Sequence, residues 1–564
     1  MSVRVRVARD DVLLVEVADL AAATALHRSL SSAPVPGVGQ PVPGARTVLV
    51  PFDPRVLPAT TLAAELRARA EVPPSGTEQP GRLVEVPTVY DGADLDGVAA
   101  HHGWSVAEVV RRHTGARWTV GFVGFAPGFG YLVGDDPGLV VPRRASPRTR
   151  VPAGAVALAG PYSGVYPRES PGGWQIVGRT AVVTWDERRD PPALWVPGDR
   201  VRFVAVRESV RGVSAPFGTS GSVRQSGLPN GAGGAERTPL QGGAPGRRPA
   251  GGGRPAPPPG AGGAERSILE VVAPGLQTLV QDLGRPGRAD LGVATSGAAD
   301  PRSLRAANRA VGNPVDAAAL ETLGGLRLRA HGPVVVAVTG APTPLSTVPD
   351  GGGPARPHHL GQAFALADGD ELSIGTPTRG LRSYLALRGG LDVPAVLGSR
   401  ATDVLAGLGP DPVRAGTLLP AGPPPSAAVA LTTTGAPDPA TLPAPGDVAT
   451  LPLVLGPRDD WFTPEALRLL TEQEWEVTAR SNRVGLRLAG AAPLDRRSAV
   501  AHAELPSEGC VTGALQVPPD GQPVLFLSDH PLTGGYPVVA AVPTADLWVA
   551  GQMPPGARLR FRVT

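Results

Sequence analysis

The chain has 564 residues, of which 42% are hydrophobic and 18% are charged. This composition is typical of a globular protein with several domains. Its 53 basic residues are all arginine, because the sequence contains no lysine, and 50 acidic residues leave a net charge of +3. The absence of lysine side chains excludes Schiff-base and pyridoxal phosphate chemistry, a lysine-containing phosphate loop and biotin attached to this chain. The nearly balanced charge does not favour nucleic acid as a partner.

Cysteine content and the N-terminus indicate the compartment. Cys510 is the single cysteine, so intrachain disulfides and cysteine-based metal clusters are excluded. The N-terminus carries no apolar signal segment and no apolar run approaches 18 residues, so we expect neither secretion nor a membrane span. We therefore expect a cytoplasmic protein without membrane contact.

Residues 1–80 predict a small α+β domain. Alternating valine and arginine near the N-terminus predicts a half-buried strand, and further strands are predicted at 13–17 and 47–52. Helices are predicted at 20–31 and 60–70. We expect ferredoxin-like packing of these elements.

Residues 81–211 predict a domain of short strands, either a β-barrel or a β-sandwich, with a helix-rich insert at 94–113. Glycine and proline are too frequent in 121–180 for a helix, so short strands separated by fixed turns are expected. Arg143, Arg148 and Arg179 lie in or beside these turns with Gly172 and Gly173. Arginine forks beside a backbone that a ligand can approach closely suit a carboxylate or phosphate, and a solvated basic rim is the alternative.

Residues 212–266 predict a linker. The segment is rich in glycine, proline and alanine, and GAGGAER occurs in it twice, at 231–237 and 260–266. Such a composition cannot bury enough apolar surface to offset the entropy of ordering. The linker therefore separates two halves. The second half is expected to be mostly β with short helices, and we divide it into a β-rich domain at 267–375 and a second β domain at 376–564.

The second half concentrates polar residues in turns between apolar strands, where rigid scaffolds usually display a site. Candidate catalytic residues here are Asp282, Glu504, Asp529 and His530, and His113 is added from the first half. An imidazole suits proton transfer near neutral pH; the alternatives are packing for His530, a helix-terminal interaction for His113 and an ion pair for Glu504. Candidate binding residues are Arg285, Asn308, Arg382, Tyr384, Arg483, Gly534, Gly535 and Tyr536. No metal-ligand motif is found, and Cys510 is interpreted as an apolar filler.

The order of motifs in the first half resembles a known family. GFAPGFGYL (124–132), PRRASPR (142–148), GVYPRESPGGWQIVGRT (164–180) and LDGVAAHHGWSVAEVVRRHT (95–114) resemble the B subunit of 5-oxoprolinase, whose family is also called KipI-like or allophanate hydrolase subunit 1. In the second half, ALETLGG (319–325), RSYLALRGGLDVPAVLGSRATD (382–403) and residues 504–537 resemble the C subunit of 5-oxoprolinase. That family is also called KipA-like or allophanate hydrolase subunit 2, and it is similar to the carboxyltransferase domain of urea carboxylase.

These resemblances imply a fusion of two proteins that work as a pair. The implied fold is α+β and mostly β, with cyclophilin-like β-barrels. The implied function is a component of ATP-dependent 5-oxoprolinase, which opens 5-oxoproline to glutamate together with a separate A subunit. ATP, with Mg²⁺ carried by the nucleotide, and 5-oxoproline or a related small amide are then the expected ligands. Two alternatives stay open: carboxyl transfer in a biotin-dependent urea carboxylase-like system, and regulation of a histidine kinase.

Overall fold

The N-terminal domain is a four-stranded antiparallel sheet covered by two helices on one face. The computed structural model describes residues 3–72, 81–144, 146, 148–207, 267–430, 435–501 and 503–564. The sheet order is β1-β2-β4-β3, and apolar residues of both helices pack on β2 and β4. The elements are β1 (Arg4–Arg9), β2 (Val12–Glu16), α1 (Leu20–Ser32), β3 (Val42–Pro43), β4 (Thr47–Pro51) and α2 (Ala59–Glu71).

Ferredoxin-like describes the layers of this domain but not its connectivity. The helices follow the second and fourth strands, whereas a ferredoxin-like chain runs strand-helix-strand-strand-helix-strand. The sequence has strands at 4–9 and 12–16 separated by two residues, so they form a hairpin before the first helix. Asp19 starts that helix by accepting the Ala22 N–H at 2.9 Å, which satisfies one of the exposed amides of the first turn.

The second domain is a seven-stranded sheet that closes almost completely on itself. Its order is β12-β9-β10-β7-β6-β13-β5, and paired hydrogen bonds between Val89 and Arg179 join its two edges. The elements are β5 (Leu83–Thr88), α3 (Leu95–His102), α4 (Val106–Gly115), β6 (Trp118–Val123), β7 (Gly130–Gly134), β8 (Arg148–Val151), β9 (Ala155–Ala159), β10 (Tyr162–Val165), β11 (Ser170–Gly172), β12 (Gln175–Arg179) and β13 (Arg200–Ala205). The predicted linker at 212–266 lies outside the described residues.

The third domain consists of a six-stranded sheet, β20-β19-β22-β17-β14-β24, and a five-stranded sheet, β15-β16-β23-β18-β21, that share one apolar core. Its elements are β14 (Ile268–Pro274), β15 (Thr278–Gln281), α5 (Pro301–Ala310), β16 (Ala319–Thr322), β17 (Leu326–His331), β18 (Val334–Gly340), β19 (Leu345–Val348), β20 (Arg356–Pro357), β21 (Ala363–Leu366), β22 (Glu371–Ile374), β23 (Ser383–Leu387) and β24 (Leu418–Pro420). Because β23 pairs with β16 and β18, this domain extends beyond the boundary drawn at residue 375.

The fourth domain is a closed barrel of the strands β25-β32-β29-β30-β27-β26-β33. Its elements are β25 (Val448–Leu455), α6 (Pro464–Glu472), β26 (Trp475–Val477), β27 (Gly485–Ala489), β28 (Glu508–Gly509), β29 (Ala514–Gln516), β30 (Val524–Phe526), β31 (Thr533–Gly534), β32 (Val538–Ala541), α7 (Leu547–Gly551) and β33 (Arg558–Val563). The predicted α+β, mostly β class is confirmed. No helix of the described residues is both long and apolar enough to cross a membrane.

The two halves of the chain pack against each other through the N-terminal sheet. Its face opposite the helices contributes Leu14 and Leu49 to an apolar cluster with Ala289 and Leu532 of the second half. The Ala45 N–H donates to the Ser507 carbonyl at 2.8 Å. This contact aligns the strand β28 and its neighbour β31 with the first half, and both lie beside the cleft described next.

Candidate functional site

A cleft of about 650 Å³ lies between the second domain and the C-terminal barrel. Both halves of the chain contribute to its walls. The lining comes from residues 125–144 and 166–174 in the first half and from residues 496–536 in the second. It includes Phe125, Arg143, Arg144, Tyr166, Gly172, Gly173, Trp174, Arg496, Glu504, Ser507, Thr533, Gly534, Gly535 and Tyr536. A ligand in this cleft would contact both halves at once.

The base of the cleft is where the two halves touch. Phe125 has a left-handed backbone conformation with a φ of 65°, and its N–H donates to Oγ1 of Thr533 at 3.2 Å. A Cβ on the preceding Gly124 would collide with the Thr533 side chain. Glycine at 124 therefore lets the turn approach the barrel closely.

An aromatic wall forms the first-half side. Phe125 packs edge-to-face on Phe129 with ring centroids 5.3 Å apart and on Tyr166 with centroids 6.1 Å apart, and Trp174 packs edge-to-face on Phe129 at 5.2 Å. Burial raises the pKa of Tyr166 well above its ordinary range, so its hydroxyl stays protonated at neutral pH. The wall combines apolar surface with one phenolic group.

The glycines of the lining keep the cleft open. A Cβ on Gly172 would collide with the hydroxyl of Tyr166, and one on Gly535 would lie 3.1 Å from Nη1 of Arg143. Any larger side chain at either position would displace the phenol or the guanidinium. These glycines, which were predicted to bind ligand, leave space for the polar groups of Tyr166 and Arg143 beside them.

Arg143 is one of two cations of the cleft that have no carboxylate partner among the described residues. It is half-buried, and within the described residues it forms no ion pair with an aspartate or glutamate. Arg496, on the opposite wall, donates from Nη2 to the Val517 carbonyl at 3.1 Å and has no acidic partner in the described part of the chain either. Unpaired guanidinium groups in a partly buried cleft favour an anionic ligand.

Glu504 supplies the carboxylate of the second-half wall. It is exposed and lines the cleft, and it makes no ion pair or hydrogen bond with another described residue. Ser507, three residues later, is buried and held through its carbonyl by Ala45. A free carboxylate on a wall anchored in this way can accept a proton from a bound water or ligand.

The structure brings seven of the sequence-predicted site residues together in this cleft. They are Arg143, Gly172, Gly173, Glu504, Gly534, Gly535 and Tyr536. They come from three separate segments, and residues of the two halves meet because the barrel packs against the second domain.

His113 and His530, which were predicted to be catalytic, lie outside the cleft. His113 is fully buried, with Nδ1 2.7 Å from the hydroxyl of Tyr90 and Nε2 2.9 Å from that of Ser163, and burial lowers its pKa to about 3. His530 donates from Nδ1 to the Pro531 carbonyl at 2.9 Å, and burial lowers its pKa to about 4. Neither imidazole lines the cleft.

Arg148 and Arg179, which were predicted to bind ligand, each pair with an aspartate and lie outside the cleft lining. Both terminal nitrogens of Arg148 donate to the carboxylate of Asp94 at 2.7 Å. Arg179 is exposed and pairs with Asp91 at 2.8 Å. Since each guanidinium already has an acidic partner, a ligand would have to displace a carboxylate to bind there.

Four more predicted residues belong to a buried polar network between the third and fourth domains: Arg382, Tyr384, Arg483 and Asp529. Arg483 donates to Asp529 at 2.9 and 3.0 Å and also to Glu321. Arg382 lies 3.3 Å from Glu321, and the Tyr384 hydroxyl donates to Glu321 at 2.7 Å. Arg382, Tyr384, Arg483 and Asp529 therefore contact one another through this network and do not line the cleft.

The last three predicted residues hold loops of the third domain. Asp282 accepts from Oγ of Ser399 and from the Arg400 N–H, both at 2.6 Å. Arg285 is 1% exposed and donates to backbone carbonyls of 396 and 401, and Asn308 donates to the Ala317 carbonyl at 2.8 Å. These three residues therefore lie outside the cleft lining.

Sequence reasoning missed several residues that shape the cleft. Asp94, which fixes Arg144 and Arg148, carries no local motif, and Arg496 stands in a loop without glycine turns. The aromatic residues at 125, 166 and 174 lie inside the motifs at 124–132 and 164–180. Their place in these motifs was the one feature of the sequence that could have indicated a role in the site. Among the described residues, no group of three metal-binding side chains occurs.

The chain matches two parts of one domain type. Residues 3–195 match the carboxyltransferase domain, subdomains C and D, and residues 291–563 match subdomains A and B. A crystal structure of a protein named TTHA0988 is 32% identical with a TM-score of 0.75, and the alignment covers 98% of this chain and 99% of that protein.

Curated relatives match the halves separately. The first half is 49% identical over 136 residues to the 5-oxoprolinase B subunit of Escherichia coli O157:H7, covering 24% of this chain and 62% of that protein. The second half is 34% identical over 302 residues to the 5-oxoprolinase C subunit of Escherichia coli K12, covering 52% of this chain and 90% of that protein. Urea amidolyase of Lachancea kluyveri is 36% identical over 316 residues, but the match covers only 17% of its length and 52% of this chain.

Proposed function

The chain belongs to the carboxyltransferase-domain family, with a half related to the B subunit of 5-oxoprolinase followed by a half related to its C subunit, and from this premise we propose that it is a component of an ATP-dependent 5-oxoprolinase. In this proposal, the chain works with a separate A subunit to open 5-oxoproline to glutamate. The observation that carries the proposal is the cleft shared by both halves, with Arg143 unmatched by a carboxylate on one wall and Glu504 on the other.

The chemistry of the lactam explains why ATP is needed. A lactam carbonyl is a poor electrophile, because the nitrogen lone pair is delocalised onto the oxygen. Transfer of the γ-phosphoryl group to the carbonyl oxygen releases ADP and gives an imidate phosphate. Water then adds to the ring carbon, and the carbon–nitrogen bond breaks to give the free amine and an acyl phosphate on the side-chain carboxyl carbon. A second water hydrolyses this acyl phosphate to glutamate and phosphate. This route consumes one ATP and two water molecules in all, and it also releases phosphate.

The residues of the cleft fit the binding part of this reaction. The carboxylate of 5-oxoproline would pair with Arg143, whose planar fork matches two carboxylate oxygens. The apolar ring carbons would pack on Phe125 and Trp174, where the wall is apolar. Glu504 would orient the attacking water and take its proton, as a general base needs only hydrogen-bond reach to that water.

This chain offers fewer positively charged groups for the phosphoryl-transfer step. The sequence has no lysine, and the unpaired arginines of the cleft, Arg143 and Arg496, are the cations available for phosphate oxygens. Phosphoryl transfer relies on several positioned cations, usually with Mg²⁺. We therefore propose that the separate A subunit completes the site for ATP and its Mg²⁺.

A second candidate function is carboxyl transfer to a urea-like acceptor. The domain type matched by both halves and the similarity to urea amidolyase support it. Without lysine, the chain would need carboxybiotin carried on another polypeptide. None of the relatives named above carries the name of a histidine-kinase regulator, so that alternative has no support from them.

Replacing Glu504 tests the proposed function. We expect this chain, combined with the A subunit, to form glutamate from 5-oxoproline and ATP, and Glu504→Gln to lower turnover about 10²–10⁴-fold if the carboxylate is the base. Coupled assays of ADP and glutamate measure the rate, with Glu476→Gln as a control because Glu476 is also an exposed carboxylate of the barrel. Full activity of Glu504→Gln, or carboxylation of urea in place of ring opening, would contradict the proposal.

A further inference from the structure

Tyr166 carries a buried hydroxyl whose proton has no acceptor among the described residues. The residue is 2% exposed and lines the cleft. Phe125 and Phe129 pack edge-to-face on its ring, with centroids 6.1 and 5.2 Å away. Because buried polar groups in proteins are nearly always hydrogen-bonded, this proton is suited to a ligand in the cleft.

The surrounding backbone sets the position of the phenol. The Tyr166 N–H donates to the Ala155 carbonyl at 3.0 Å, and the Tyr166 carbonyl accepts from the Gly154 N–H at 2.8 Å. The hydroxyl lies beside Gly172, where a Cβ would collide with it. The residue is therefore held through its backbone and its ring, and the glycine leaves room for the hydroxyl.

Arg143 lies close to this hydroxyl. The N–H of the next residue, Arg144, donates to the Gly173 carbonyl at 2.8 Å, so the segment that carries Arg143 runs beside the turn that contacts the phenol. Burial raises the pKa of Tyr166, and the positive charge of Arg143 offsets part of that rise, so the two groups are near enough to interact. Since Arg143 has no carboxylate partner among the described residues, both groups can donate to one bound group.

The phenol remains a hydrogen-bond donor at neutral pH. Its pKa lies above its ordinary value, because burial outweighs the Trp174 N–H and the nearby charges of Arg143 and Arg148. The Trp174 N–H is directed at the phenol oxygen and uses part of its capacity to accept. The hydroxyl therefore offers a ligand mainly its proton.

We propose that Tyr166 is a second donor for the carboxylate held by Arg143, and that the two residues together select a carboxylate over a carboxamide at this end of the cleft. The inference rests on the proposed function for the identity of the ligand, 5-oxoproline, and adds a specificity-determining residue to its site. A cation and a neutral donor match a carboxylate, whose two oxygens both accept. A carboxamide would turn its N–H groups toward one of these donors and lose a hydrogen bond there.

The first test is the binding of 5-oxoproline and of its primary amide, 5-oxoprolinamide, to the full chain by isothermal titration calorimetry. We expect Tyr166→Phe to weaken 5-oxoproline binding about tenfold, the value of one hydrogen bond to a charged group, and to change amide binding by less than about twofold. Tyr162→Phe is the matched control and should bind both ligands as the wild type does. It removes a phenol of the same aromatic cluster that does not line the cleft.

A second measurement locates the lost hydrogen bond on the ligand. In ¹³C NMR of bound 5-oxoproline, Tyr166→Phe should shift the signal of the carboxylate carbon and leave that of the lactam carbonyl carbon in place. Gly172→Ala keeps the phenol but displaces its hydroxyl, so it should weaken 5-oxoproline binding as Tyr166→Phe does. Agreement between these two variants separates loss of the donor from damage to the fold.

The outcomes distinguish this inference from the proposed function. Unchanged 5-oxoproline binding in Tyr166→Phe, an equal loss in Tyr162→Phe, a shift of the lactam signal in place of the carboxylate signal, or no binding to the wild type would overturn the inference. The expected loss in Tyr166→Phe, together with no ring opening by the complete complex, would reject the proposed function and leave the carboxylate subsite standing. Ring opening by a complex whose ligand binding is unaffected by Tyr166→Phe would reject the inference alone.

Discussion

The cleft and the buried ion network between the third and fourth domains both contain arginines and carboxylates. Only in the network is each charge paired with an opposite one. In the network, Arg483 meets Asp529 and Glu321, and the three residues are at most 3% exposed. In the cleft, Arg143 and Glu504 lie on opposite walls without such partners among the described residues. Arginine and carboxylate content therefore does not identify a site, whereas the absence of a matching charge does.

The two regions also differ in how much hydration free energy their charges lose on folding. Charges buried in the network lose hydration, and their mutual attraction offsets that loss only while every partner is present. The cleft leaves part of its charge hydrated until a ligand arrives. Removing one group should therefore affect stability in the network and binding in the cleft.

The network should give the larger effect. Arg483→Met removes the arginine paired with buried Asp529 and leaves Glu321 only its longer ion pair with Arg382, and we expect a loss of about 3–5 kcal/mol in the free energy of unfolding. Chemical denaturation of the whole chain measures it, and Arg480→Met, which removes an exposed arginine three residues earlier, should change it by less than about 0.5 kcal/mol. Equal stability of the two variants would show that the network is not what holds the two domains.

The buried histidines should link stability to pH. Because the pKa of His113 falls from 6.5 to about 3 on folding, the unfolded chain binds a proton between these values that the native chain does not. Stability should therefore fall as the pH drops below about 6.5, by about 2 kcal/mol between pH 7 and pH 5 for this imidazole.

His113→Gln, which cannot titrate in this range but can still form hydrogen bonds, checks this expectation. Denaturation at pH 7 and pH 5 should show a smaller loss for the variant than for the wild type. The control His102→Gln replaces a partly exposed imidazole on the preceding helix. An identical pH dependence of wild type and His113→Gln would mean that His113 does not titrate on unfolding.

Local periodicity in the sequence predicted the helices of the first domain well. The helices predicted at 20–31 and 60–70 are Leu20–Ser32 and Ala59–Glu71, since an apolar stripe such as Leu62 and Leu66 depends only on near neighbours. The domain boundary at 375 was misplaced, because β23 joins its sheet through pairing with distant strands. Strand partners are set by tertiary contacts and leave little trace in the strand itself.

The candidate site was predicted only in part for a related reason. Arg143 and Arg148 stand in one motif and look equivalent in the sequence, yet Asp94, which lies 54 residues before Arg148, occupies only the latter of the two. Likewise, Arg483 finds Glu321 across 162 residues. Whether an arginine is free for ligand is decided by such distant carboxylates, and a single sequence does not reveal them.

The most direct test of the central claim is the binding of 5-oxoproline to wild type, Arg143→Ala and Arg148→Ala, measured by calorimetry on the full chain. The unpaired arginine should matter for the ligand, so Arg143→Ala should weaken binding by about 1.5–3 kcal/mol, the value of a charged hydrogen bond, with little change in melting temperature. Arg148→Ala should lower the melting temperature more than it weakens binding, because its partner is Asp94. If Arg143→Ala bound 5-oxoproline as tightly as wild type, the cleft between the two halves would not be the carboxylate site.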